Sequence, residues 1–324
     1  MPRPPLGWLL AALALVGAAP AWAAMTDQDV ARTMSFGGAC VKCDFSGRRL
    51  TGANFVGASF IKATLVGADL RGANIVASNF TGADFHNADL RSAEATGSIF
   101  IKANFAGARM DGISAAGASF RDAILNGANL SSSEMTGANF RSAEMNGVRL
   151  HSASLAGADF TDAEGRGADC SSAELQAAQL GGQFEHASFV GADLAGARLT
   201  GGRFAGADFR GAELQGADLR GVDLSTARGL HQDDIDAACA DAATRLPGGL
   251  KGANCRSSLN REIQAAVAHA HAAAKMEASQ SMIEARRQAL AAARQAVEAV
   301  RAMVAGEPRP PAPPKAPAPP APPN

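Results

Sequence analysis

A five-residue beat runs from Asp44 to about Ser225, and it leaves few folds open to this chain. Nearly every fifth residue from Phe45 is large and apolar, through Leu50, Phe55, Phe60, Leu65, Leu70 and Ile75, and on to Phe140, Met145, Leu150 and Phe160. Two positions before each stands a small residue, almost always alanine (Ala53, Ala58, Ala63, Ala68). The residue just before is usually polar (Asn54, Asp69, Asn74, Asp84), and glycine often follows two positions later (Gly52, Gly57, Gly67). Five matches neither the helical period of about 3.6 nor the strand period of 2. A helix would smear these apolar residues round its whole surface. A chain that turns a corner every five residues brings each Leu or Phe and each Ala inside. One such unit is too small to bury its own apolar face, so coils must stack, joined by backbone hydrogen bonds at about 4.8 Å.

The beat has one break. Leu180 is followed by Phe184, with Gly181-Gly182 between, before the period resumes at Phe189, Leu194 and Leu199. A locally tightened turn or slight kink is the simpler reading, and a functional notch the sharper one. Inward positions weaken at Ala95, Ala115, Gly165 and Cys170, which predicts a thin core there or a wall drawn inward. From 122 to 172 the corner residue alternates between glycine and another type, as in Asp122, Gly127, Ser132, Gly137. Glycine suits a positive φ, so the alternation predicts that opposite corners share a turn type.

Units such as Ala68-Asp69-Leu70-Arg71-Gly72, Ala158-Asp159-Phe160, Ala207-Asp208-Phe209-Arg210-Gly211 and Ala217-Asp218-Leu219-Arg220-Gly221 resemble the A-(D/N)-(L/F)-x-G consensus of the pentapeptide-repeat family. The resemblance covers more than half the chain. It implies an all-β solenoid, a right-handed, four-sided β-helix with four pentapeptides per coil over residues 44–228. About 37 units would make about nine coils and a rod of roughly 40–45 Å.

The flanks read differently. Residues 1–23 have the pattern of a secretory signal peptide: Arg3, an apolar run from Leu6 to Ala19, and Ala21-Trp22-Ala23 before a cut at Ala24. This predicts export, with the periplasm as destination, and a mature chain with no transmembrane segment. Residues 24–43 lead into the repeat and hold Cys40-Val41-Lys42-Cys43. Such a pair can be a redox centre, half a zinc site, a haem attachment or a local disulfide. Asp44 stands where a haem site needs His, and the redox and zinc readings lack their context, so a disulfide at the start of the rod is the simplest expectation. Residues 229–258 read as a terminal cap with a short helix over Gln232 to Arg245, stopped by Pro247-Gly248-Gly249. The segment resembles one found in exported relatives of the repeat family, although His231 stands where those place a capping Thr. Cys239 and Cys255 could form a second disulfide, worth roughly 3 kcal/mol. Cys170 falls on an inward position, where a thiol is inert.

Residues 260–305 form an alanine-rich stretch in which Met276, Ile283, Leu290, Val297 and Val304 recur every seven residues. That predicts a long helix with a weak coiled-coil seam, a route to self-association. Residues 306–324 are a disordered Pro/Ala-rich tail, extended as polyproline II and suited to a spacer.

The six histidines are scattered, and no nucleophile–base set, phosphate loop or metal-ligand spacing occurs, so the expectation is a non-enzyme without cofactor or metal. Both tryptophans, Trp8 and Trp22, lie before residue 24 and there is no tyrosine, so the mature chain has no aromatic platform for nucleic acid. Between residues 44 and 224 stand 20 acidic and 15 basic residues, interspersed in sign. An outward aliphatic cluster of Val56, Ile61, Val66 and Val76 is a candidate interaction patch. These features point to an exported, non-catalytic scaffold that presents a rigid surface to a protein or envelope partner. The alternative, implied by the resemblance, is a DNA-mimic that binds and protects gyrase, as some cytoplasmic family members do.

Overall fold

The computed structural model describes Asp27 and residues 38–252. Residues 1–23, read above as a signal peptide, the 260–305 stretch with its seven-residue beat, the proline-rich tail and Cys255 lie outside the described residues.

Parallel bridges join residues twenty apart, from Ala39↔Ser59 and Asp44↔Thr64 through Asp159↔Gln179. Twenty residues at five per side give a four-sided coil. We name the faces by their inward residues: first (Phe60, Phe80, Phe100), second (Leu65, Phe85, Phe105), third (Leu70, Leu90, Met110) and fourth (Ile75, Ala95, Ala115). Each inward residue donates its N–H to the coil above, as Phe80 N does to Ile99 O at 2.7 Å. The polar residue before it donates to the coil below, as Asn79 N does to Ala58 O at 2.8 Å. The rod is thus a stack of short parallel ladders, with Leu, Phe and Ala buried on its axis.

The corners overturn the expectation of alternating turns. The second corner residue has a left-handed φ at every corner from Lys42 to Gly221 except the one at Gly181. Asp122 (φ 56), Ser132 (55) and Ser142 (55) adopt it as Gly127 (66) and Gly137 (65) do. The reason is the ladder. The N–H of this residue reaches the coil above whatever its type, Gly127 N to Asn146 O at 2.9 Å and Ser132 N to His151 O at 2.9 Å. A left-handed non-glycine costs about 1–2 kcal/mol, and the ladder hydrogen bond and buried Phe or Leu on either side hold it there.

Phenylalanine dominates the first face. Phe60, Phe80, Phe100, Phe120, Phe140 and Phe160 stack one per coil, with centroids 5.0, 5.5, 4.9, 5.1 and 4.9 Å apart. The ring spacing follows the coil spacing. At the break the register shortens: Glu164 pairs with Gln183 and Asp169 with Ser188, nineteen apart. One corner residue is missing, and Phe184 shifts to meet Phe160 edge-on at 6.0 Å. Its ring fills the place of the side chain Gly165 lacks, since a Cβ on Gly165 would lie 2.6 Å from Phe184 Cε1. The expected thinning at Gly165 is therefore absent. Beside Ala115 the inward partner is Ile113 in place of the usual alanine, and both are buried.

The ends differ from the expected boundaries. Pairing begins at Ala39, so the cysteine pair belongs to the first coil. Cys40 and Cys43 take the inward positions that Phe60 and Ala63 take one coil on, and both are buried. They are joined by a disulfide across the corner, with Cα atoms 5.7 Å apart. At the other end, α1 (Gln232–Ala237) is six residues long and stops well short of Arg245. Beyond it the chain returns to the ladder, with Asp218↔Cys239 and Asp223↔Arg245. The unpaired rungs of the last coil recruit these residues away from the helix. His231 caps α1 and donates its N–H to Asp234 Oδ2 at 2.8 Å, while Ile235 is buried against the core.

Removing a ring from the stack should cost about 3–5 kcal/mol, so Phe140→Ala should shift urea unfolding accordingly. Gly182 is tighter still: a Cβ there would collide with Ala163 O and sit 2.8 Å from Phe160 O, whereas at Gly147 the space is open. Gly182→Ala should destabilise the rod clearly more than Gly147→Ala in the same assay.

Candidate interaction surfaces

The outward residue of each pentapeptide decides what a partner would meet. Asp or Asn here accepts a hydrogen bond from the backbone two residues on, as in Arg71 N to Asp69 Oδ1 (3.2 Å), Thr81 N to Asn79 Oδ1 (3.0 Å) and Thr161 N to Asp159 Oδ1 (3.0 Å). These are Asx turns, and they satisfy the first corner N–H while fixing the side chain against the wall. The preference for Asp and Asn in the repeat is thus structural. Sequence inspection registered that position as merely polar, although the two-residue offset to the corner was available as a signal.

Where arginine follows, the aspartate is gripped by a fork. Arg71 reaches Asp69 with Nε at 2.9 Å and Nη2 at 2.7 Å, and Arg91 reaches Asp89 at 2.8 and 2.7 Å. Arg210 with Asp208 and Arg220 with Asp218 repeat the arrangement near the far end. The Arg71 fork pulls the Asp69 carboxyl far below the usual carboxylate range. Arg91 and Arg210 do the same in kind to Asp89 and Asp208. At Asp218 burial works against ionisation, but the Arg220 fork and backbone outweigh it and the carboxyl stays lowered. Charges of both signs share a column: Asp69, Asp89, Arg109 and Asn129 succeed one another on the third face.

The aliphatic cluster does not hold together. Val56 and Val76 stack at the corner after the fourth face, and there Val56 is buried, at 8% exposure. Ile61 stands at the next corner and Val66 at the one beyond, both half-buried. Four residues spread over three corners do not form one patch. The reason is the period itself, since five residues advance the chain by a whole side. Among the described residues, the large apolar side chains that are exposed are Val41 and Ile99.

At the missing corner residue the wall is dented. Thr161, Asp162, Gln179, Gly181, Arg198, Thr200 and Gly201 line a shallow cleft of about 320 Å³. The inward Cys170 is buried and its thiol pushed up to about 12, first by burial and then by the charge of Asp169, which leaves it unreactive. Cys239 is buried on the closing rung, and its expected partner, Cys255, lies outside the described residues. Among the described residues no group of His, Cys, Asp or Glu is arranged to hold a metal ion, and no helix is long and apolar enough to cross a membrane.

Comparison with known proteins follows the same lines. The family model for pentapeptide repeats matches residues 40–75, 78–114, 116–151, 143–182 and 187–225, in eight copies. Among solved structures, the chain is similar to HetL, a pentapeptide repeat protein involved in heterocyst differentiation regulation from the cyanobacterium Nostoc sp. strain PCC 7120. Identity is 26% and the TM-score 0.51, over 69% of this chain and 93% of that one. QnrB1, a plasmid-mediated fluoroquinolone resistance protein, aligns at 23% identity and a TM-score of 0.32, over 57% of this chain and 90% of that one. No curated protein matches.

The forks predict a pH dependence. The folded carboxyls titrate below their unfolded value of about 3.9, so their stabilisation is fully present above that pH and is lost as pH falls through the lowered folded values. The thermal midpoint should therefore hold between pH 5 and 8 and drop between about pH 4 and 2. Replacing Asp69, Asp89 and Asp208 together by asparagine should flatten that drop.

Proposed function

Because the chain belongs to the pentapeptide-repeat family, we propose that it is a non-catalytic scaffold, exported after cleavage before Ala24, that works by presenting its walls to a protein or envelope partner. The observation that carries this reading is the wall itself. Among the described residues nearly every large apolar side chain is consumed by the core, and most outward positions are polar, many of them held by Asx turns or Arg–Asp forks. Such a surface is suited to rigid contact, and the cleft at Thr161 and Thr200 is open to solvent. HetL, aligned over 93% of its length, is described by its part in a regulatory process, which fits a molecule that acts through contact. The Met276, Ile283, Leu290, Val297 and Val304 stripe gives the scaffold a means of self-association.

The DNA-mimic reading is weaker on charge density. Twenty acidic and 15 basic residues leave a net charge of only five over the repeat. A duplex carries about one negative charge per 1.7 Å, whereas five over a rod of roughly 40–45 Å is about one per 9 Å. The basic residues also interrupt the acidic columns, as Arg109 does above Asp89.

Two measurements test the proposal. Fractionation with N-terminal sequencing should recover a periplasmic product beginning at Ala24; a cytoplasmic product retaining Met1 would overturn the export reading. Deleting residues 260–324 should leave the rod folded while lowering the number of copies per particle in solution. An unchanged number of copies would remove the 260–305 stretch from any role in self-association.

A further inference from the structure

The fourth face differs from the other three. Its outward column runs Glu94, Ser114, Glu134, Ser154, Glu174, Asp193, Glu213, one residue per coil, with no basic residue in it. Glu94, Glu134, Glu174 and Glu213 are exposed and fall on alternate coils. Ser114 Oγ donates to Glu134 Oε2 at 2.9 Å and Ser154 Oγ to Glu174 Oε2 at 2.7 Å, which aligns these carboxylates along the row. None of the ion pairs among the described residues involves any of the four glutamates. The corner beyond the row carries Thr96, Ala116, Thr136 and Ala156, small and uncharged, followed by the neutral Gln176, Ala195 and Gln215, so a straight element can lie flush against its first four coils.

The chain holds a segment that matches this face in charge and in pitch. Residues 253–324 contain nine basic and five acidic residues, against the acidic excess of the rod. Arg287, Arg294 and Arg301 recur every seven residues, each four positions after a member of the apolar stripe (Ile283, Leu290, Val297). On the helix that the sequence predicts, these arginines would form a row about 10.5 Å apart beside the stripe. The glutamates stand two coils apart, about 9.6 Å. A helix tilted by about 25° to the rod axis brings the two rows into step.

We propose that the glutamate row of the fourth face seats the Arg287, Arg294 and Arg301 row of a second copy of this chain. The inference rests on the reading of the protein as a self-associating scaffold and names the surface it uses. Chain length favours a second copy over the same one. The described chain leaves from the capped end, where Lys251 N and O bond to the Gln232 side chain at 3.1 and 2.9 Å. From Asn260, a helix places Arg287 about 40 Å and Arg301 about 60 Å away. The row from Glu213 to Glu94 spans only six coils, about 29 Å, so a helix folded back on its own rod would carry its arginines past the glutamates. Reciprocal exchange between two copies avoids the overshoot and closes a two-fold dimer. The neutral corner would receive the apolar stripe, and the carboxylates the guanidinium groups.

Sedimentation of the full chain at low and high salt tests this. The parent should be a dimer that loosens as sodium chloride is raised to 0.5 M, because the pairing is exposed to screening. Glu134→Lys with Glu174→Lys should weaken the dimer about tenfold or more, and so should Arg287→Glu with Arg294→Glu and Arg301→Glu. Circular dichroism should be unchanged, since all four glutamates lie outside the core. Combining the two sets should restore the dimer. A dimer indifferent to both reversals, or no recovery in the combined chain, would overturn the glutamate seat while leaving self-association standing. A parent that stays monomeric at every concentration would overturn both. A carbodiimide cross-link from Lys275 to the fourth face within one copy would overturn the exchange between copies.

Discussion

The hydrogen-bond ladder between coils dictates the rest of this molecule. Each inward residue gives its N–H upward and each outward residue gives its N–H downward, so the coil spacing is fixed before any side chain is chosen. The corner must then deliver the chain to the next side with its own N–H also aimed at the coil above. The left-handed second residue is the conformation that does so, and it recurs even where lysine, serine or aspartate must adopt it. Local preference gives way to the lattice, because one strained φ costs less than a broken rung with its buried neighbours.

The same spacing governs the core. Rings on the first face sit 4.9–5.5 Å apart, the separation between coils, so they stack as a consequence of the ladder. When one corner residue is lost, the lattice absorbs the change within a single coil. Phe184 moves over the vacancy at Gly165, Gly182 passes where no Cβ could, and pairing resumes at Gln183 with Ala163. The outer cleft at Thr161 and Thr200 is what remains of the missing corner. It is a by-product of repacking inside, which explains why polar residues of ordinary repeat type line it.

Much of this was legible in the sequence, and the limits are instructive. The period of five gave the inward residues, because burial repeats with the geometry, and the resemblance to the pentapeptide-repeat family gave the four-sided coil. The break at Leu180 was visible as a count, but its remedy was not: Phe184 fills the place at Gly165 only because the nineteen-residue register stacks the two on one face. The corner alternation misled because glycine marks positions where left-handed backbone is easy, and the ladder imposes it elsewhere too. Val56, Ile61, Val66 and Val76 looked like a cluster because they are near in sequence, whereas five residues carry the chain round a corner. Past α1, propensity favoured more helix, and the unpaired last coil claimed Cys239 and Arg245 instead.

A wall built this way is also a ruler. Its outward side chains can stand only at multiples of about 4.8 Å along a column, so a partner that reads a column must carry its own groups at a compatible interval. An α-helix with a seven-residue beat repeats at about 10.5 Å, close to two coils. From Glu94 to Glu174 the column alternates carboxylate and serine, with Ser114 and Ser154 between glutamates, an interval that suits a helix better than a duplex, whose phosphates crowd at about 1.7 Å. The serines matter to that distinction. Carboxylates in their places would set like charges one coil apart, where they repel, as Glu174, Asp193 and Glu213 stand farther along, where the Gln176 amide donates to Asp193. Serine instead donates to the neighbouring glutamate and holds it in line. The spacing of charge on the fourth face thus follows from the ladder that builds the rod, and it carries the information a partner helix would need.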